Sequence, residues 1–245
     1  MQLTTKLSAA LLLALGSSTA FAAEAVNSEH QISGNISVVS SYNSRGMTNS
    51  PENDKVTIQG GLDYSHASGF YAGYWGSTIG YSLTDYDDEV GDYTGSDTFE
   101  HDFYLGYNGS INADWGYNLG AVYYYYYESD ADADALESVL GVNYKNLSLT
   151  AQTLWNDVNW GNTGDTYVLA SYSHPLPRDF TLNTSLGVSY YNDDTSKYFD
   201  TTEDFGFRHF TAGLSHPLGN TGADMSVDMI FAGYNRVDEK QKNKV

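Results

Sequence analysis

Carboxylates set at alternate positions of otherwise apolar segments are the groups in this 245-residue chain best placed to do chemistry: Asp63, Glu100 and Asp102. Successive side chains on a strand point to opposite faces, so residues two apart share a face. Acids gathered on one polar face of a narrow passage attract cations and repel anions, as rings of like charge do. Gln59, Gln152 and Asn183 hold matching polar positions in their own segments, as do Ser37, Thr57 and Ser185, and together with the acids they form a candidate pore lining. Arg45, in Tyr42-Asn43-Ser44-Arg45-Gly46, is the candidate loop or constriction residue. Surrounded by acidic loops, it would fold a loop inward or bind an anionic solute; its plainer use is a packing salt bridge, of a kind that is individually weak.

Other constellations carry less. Asp130-Ala131-Asp132-Ala133-Asp134 has the opening spacing of a calcium loop, but Ala135 stands where the turn needs Gly and Gly141 where a bidentate Glu belongs. A solvated, self-repelling loop is the expectation there. Five tyrosines, Tyr123 to Tyr127, split by phase: Tyr123, Tyr125 and Tyr127 face one way, Tyr124 and Tyr126 the other, one set suiting an outer aromatic girdle. Of the six histidines, His30, His66, His174 and His216 fall beside strand ends, and His101 shares the apolar phase of Phe99 and Phe103. Only His209 is placed to join a site. With no nucleophile–base pair, zinc spacing or Gly-rich phosphate loop, neither catalysis nor a metal or cofactor is expected.

These residues sit on a repeated unit of about ten residues with apolar or aromatic side chains at every second position, followed by a polar turn. Ile32, Ile36 and Val38 alternate with Ser33, Asn35 and Ser37; Leu182, Leu186, Val188 and Tyr190 alternate with Asn183, Ser185 and Ser189. The pattern predicts strands at 31–42, 55–65, 69–77, 98–108, 115–127, 137–145, 147–156, 165–174, 179–191, 204–216 and 223–234. In the tenth, Phe205 and Phe207 are out of phase with Phe210, Ala212 and Leu214, which predicts a bulge. Connections alternate between long, polar loops and short turns, the arrangement of an antiparallel transmembrane β-barrel with its N-terminus in the periplasm. The fold class is therefore all-β. Single-chain bacterial barrels close with an even strand count, so eleven segments followed by the charged stretch 235–244 imply a barrel of about twelve strands whose last strand lies beyond Val245. The alternative is a further strand within 78–90.

The N-terminus carries Lys6, an apolar run from Leu7 to Leu15, and Ala20-Phe21-Ala22, the layout of a signal peptide spanning 1–22 ahead of a barrel domain spanning 23–245. The apolar run is too short to span a bilayer as a helix. With no Cys, the chain has neither disulfides nor a lipid-modified cysteine anchor. A net charge of −20, from 31 acidic and 11 basic residues, excludes nucleic acid as a partner class. A mean hydropathy of −0.41 suits a barrel, which needs only an alternate-residue belt to be apolar.

The stretch Ser40-Ser41-Tyr42-Asn43-Ser44-Arg45-Gly46-Met47-Thr48, followed by Gln59-Gly60-Gly61-Leu62-Asp63-Tyr64 and Ser68-Gly69-Phe70-Tyr71-Ala72-Gly73-Tyr74-Trp75-Gly76-Ser77, resembles the N-terminal signature of the TorF-type porins, small Gram-negative outer-membrane proteins. The likeness is specific over 36–77 and weaker but collinear through Glu100-His101-Asp102-Phe103-Tyr104-Leu105-Gly106-Tyr107. The chain departs from the pattern at Ser41, where Asp is common, and at Ser44, where an aromatic is common. The resemblance implies location and architecture, with little about substrate.

The expectation is a porin-like channel in the cell outer membrane for passive diffusion of small polar or cationic solutes. Its partners would be outer-membrane lipid and lipopolysaccharide, the solutes themselves, and the barrel-assembly machinery during biogenesis. The alternative is a non-conducting barrel acting through its extracellular loops in adhesion or envelope structure. The diameter of about twelve strands accommodates either an open lumen or one filled by side chains.

Overall fold

Alternating polarity resolves into strands in the computed structural model, which describes residues 29–46, 55–80, 82–95, 98–192 and 203–233. The expected signal peptide and the charged stretch 235–244 lie outside the described residues. Eleven strands form one antiparallel sheet in chain order: β1 (His30–Val39), β2 (Thr57–His66), β3 (Phe70–Thr78), β6 (Phe99–Ser110), β7 (Trp115–Tyr126), β8 (Ala135–Tyr144), β9 (Leu147–Leu154), β10 (Thr166–Pro175), β11 (Thr181–Tyr190), β12 (Phe205–Pro217) and β13 (Asp224–Ala232). Two short strands, β4 (Tyr86–Asp87) and β5 (Asp92–Tyr93), pair only with each other as a ribbon in the second long loop. The additional strand weighed for 78–90 is thus a loop hairpin outside the wall. No helix occurs among the described residues.

Each neighbour in the sheet follows its predecessor in sequence, the up-and-down order that short turns impose. Lys145 takes a positive φ of 53° in the tight β8–β9 turn, and Gly69 one of 104° in the β2–β3 turn. Among the described residues β1 and β13 are not paired with one another, so the sheet is unclosed. It is nevertheless curled: Gly46, just past β1, packs directly on β12, and a Cβ there would lie 2.6 Å from the His209 Cβ.

The two faces are inverted relative to a water-soluble sheet. Ile32, Val38, Leu62, Leu105, Leu140 and Val227 are all more than half exposed on the convex face. The enclosed face carries buried polar groups: Gln59, Ser77, Glu100, Asp102, Asn118, Glu137, Gln152 and Ser189. The Tyr123–Tyr127 run divides as its phase requires, with Tyr124 and Tyr126 buried inside and Tyr123 and Tyr127 exposed. The β12 bulge is present as well. Gly187 pairs with His209 but Val188 with Phe207, which leaves Arg208 as the extra residue. Both Arg208 and His209 consequently point inward, while Phe205, Phe207 and Phe210 stay on the outer face.

Candidate functional site

The interior has two halves. Toward the short turns its polar side chains, including Asn35, Asp63, Asn183 and Ser215, are only partly buried. Toward the long loops it is sealed: Tyr42, Leu83, Ala133 and Val158, one from each of four loops, join Trp75, Val122, Tyr124, Tyr126 and Leu154 from the wall in one buried cluster.

Glycines set the interior spacing, because a missing side chain on one strand lets a tyrosine from the next lie across it. Asp63, Gly73 and Tyr104 are register partners on β2, β3 and β6, and the Tyr104 hydroxyl crosses Gly73 to donate to Asp63. Tyr71 lies over Gly106 and Gly120, and its hydroxyl accepts from the Asn118 amide at 2.9 Å. Tyr167 reaches over Gly187 to His209, hydroxyl to Nε2 at 2.6 Å. These crossings tie strands that are not adjacent in the sheet.

The segment 40–46, here called the strap, is the centre of the sealed half. The Tyr42 hydroxyl faces both Glu100 carboxylate oxygens at 2.9 Å, with one proton to share between them. Arg45 makes a two-pronged pair with Glu137, Nη1 to Oε1 at 2.8 Å and Nη2 to Oε2 at 2.5 Å. That fork is the strong geometry for guanidinium and carboxylate. Tyr124 donates to the same carboxylate at 2.9 Å, and the Arg45 guanidinium lies 5.0 Å from the Tyr167 ring centroid. Burial pulls the Arg45 ionisation down, but Glu137 and Tyr124 more than offset it and hold the guanidinium above its ordinary value. The strap turn is built on two left-handed residues, Arg45 at φ 51° and Gly46 at φ 73°. A side chain at 46 would also meet the Arg208 carbonyl oxygen at 2.8 Å, so glycine is required by both conformation and space.

Every sequence-predicted lining residue faces the interior, but they do not share one path. Asp63 and Asn183 belong to the partly open half, Asn183 donating to Ser215 Oγ at 3.1 Å and accepting from Ser173 Oγ at 2.8 Å. Gln59, Glu100, Asp102 and Gln152 are buried in the sealed half. Asp102 is fully enclosed, and neither carboxylate oxygen has a hydrogen-bond partner among the described residues. Glu137 was not anticipated, although Leu136, Leu140 and Val142 set an outward phase that sends it inward. The acidic 130–134 loop is structural: Asp130 accepts from the Asp85 N–H at 2.9 Å and Asp134 from the Tyr126 N–H at 2.9 Å.

Fold and site together define an all-β antiparallel protein with an apolar outer wall and a polar interior stopped at one end by its own first loop. The chain belongs to the Gcw_chp family, described as bacterial protein of unknown function, whose model matches residues 22–245. Among curated proteins, none matches the chain.

Proposed function

We propose that this chain is an outer-membrane β-barrel whose polar interior is a conduit for small polar or cationic solutes, closed at its extracellular end by the strap. The observation that carries the reading is the inverted wall. Water does not tolerate a continuous apolar surface of this extent on a monomer, whereas lipid requires it. The signal-peptide layout of 1–22 and the likeness of 36–77 to the TorF-type porins support the same location.

For passage, the partly open half is a vestibule on the periplasmic side, and the Arg45–Glu137 and Tyr42–Glu100 contacts are the latch. Solute passes when the strap swings out. The acids it uncovers, Glu100, Asp102 and Glu137, outnumber the inward cations Arg45 and Arg208 and bias the passage toward cations.

Planar-bilayer conductance tests this. Wild-type protein is expected to show rare, brief steps, and Arg45→Ala longer and more frequent ones with cation preference. Silence in both supports the second reading, a non-conducting barrel acting through its loops, which the completeness of the seal favours. Wide-open conductance in the wild type would show that the strap is no latch.

A further inference from the structure

At the opposite end of the wall from the strap, β1 and β2 bring two histidines together. His30 and His66 are direct register partners, their rings 5.0 Å apart between centroids. Glu29 completes the group: its Oε1 is 3.2 Å from His66 Nε2, and one donor atom from each of the three residues lies within 4.8 Å of the others. We propose that Glu29, His30 and His66 form a binding site for a divalent transition metal of the zinc class at the short-turn rim.

Two imidazole nitrogens and one carboxylate oxygen form a donor set suited to zinc, which takes three protein ligands and leaves a fourth position for water. The hard ions calcium and magnesium prefer all-oxygen shells and discriminate against it. Each ring already has a hydroxyl beside its Nδ1. The Tyr64 hydroxyl sits 2.8 Å from His30 Nδ1, and Ser68 Oγ lies 2.7 Å from His66 Nδ1. Such partners fix ring orientation and present the opposite nitrogen, Nε2, to a metal.

The Ser68 N–H donates to His66 Nδ1 at 3.1 Å, which places the ring proton on Nε2, facing Glu29. Metal binding at Nε2 moves that proton to Nδ1, so the Ser68 N–H contact is given up and Nδ1–H donates to Ser68 Oγ instead. Tetrahedral zinc with bonds of ~2.0–2.1 Å needs donors closer than this group now holds them. Glu29 is exposed and can close the gap by side-chain rotation. The site is distinct from the strap and does not depend on conduction.

The test is calorimetric titration of full-length protein in detergent with Zn²⁺ alone, and with Ca²⁺ as the hard-ion control. One zinc per chain is expected, with affinity falling in His30→Ala and His66→Ala by more than the about ten- to a hundredfold that loss of a ligand's outer partner costs. His174→Ala, at another turn, is expected to bind as wild type does. Heat-modifiable gel mobility confirms that each variant is folded. Absence of zinc binding above the calcium control would overturn the site, as would binding that survives both His30→Ala and His66→Ala.

Discussion

Arg45 is held in a left-handed conformation by two contacts of different kinds, a charge pair with Glu137 and the absence of a side chain at Gly46. They separate experimentally. Arg45→Ala leaves Glu137, whose side chain is fully enclosed, without its cation, and losing one partner of a buried pair costs about 3–5 kcal/mol. Glu137→Gln in the Arg45→Ala background removes the stranded charge and is expected to recover most of that loss. Urea unfolding read by gel mobility closes the double-mutant cycle. A single-mutant cost below about 1 kcal/mol, the level of an exposed pair, would show that water already reaches the pair. Gly46→Ala keeps both charges but drives a Cβ into the Arg208 carbonyl and the His209 Cβ. It is expected to reproduce the longer channel openings of Arg45→Ala; wild-type gating in this variant would mean that the turn does not seat on β12.

At the scale of elements, the strands were legible because the face of each residue follows from a period of two, and the outer face of this wall carries mostly apolar side chains. The conflict between Phe205/Phe207 and Phe210/Ala212/Leu214 even located the bulge, since no regular strand places both sets on one face. Deleting Arg208 tests that reasoning. Without the extra residue Phe207 and Phe210 stand two apart and Phe205, Phe207 and Phe210 share the outer face of a regular strand in the same register, so the variant is expected to keep the compact heat-modifiable form. Loss of that form in the deletion would show that Arg208 is not a mere extra residue in the ladder. What stayed hidden were contacts that require the curl of the sheet. Arg45 and Glu137 are 92 residues apart, and nothing in their spacing announces a pair. His30 and His66 likewise read as two unrelated strand-end residues until the β1–β2 register sets them face to face. The strap's inward course was legible only as one option for Arg45, because a loop's path is decided by distant partners and not by its own periodicity.

On the scale of the whole molecule, the outward rows of Leu119, Leu140 and Leu149 decide what solvent surrounds the wall. Leu140 lies mid-strand in β8, between Leu119 on β7 and Ala151 on β9, whereas Tyr144 ends the same strand at the short-turn rim. A bilayer makes these two outward positions unequal. Arginine at the midplane of a lipid-facing strand costs about 2–4 kcal/mol, falling to about 0–1 near the interface. Leu140→Arg is therefore expected to destabilise the protein folded into lipid vesicles by the larger amount and Tyr144→Arg by the smaller, read as urea midpoints followed by tryptophan fluorescence. In water the order would have no reason to hold, since arginine at an exposed position is costless and replacing an exposed leucine relieves an apolar patch. A depth-dependent penalty at these two sites is thus a property of lipid alone. Equal effects, or a more stable Leu140→Arg, would place the wall in water and remove the basis for a membrane conduit.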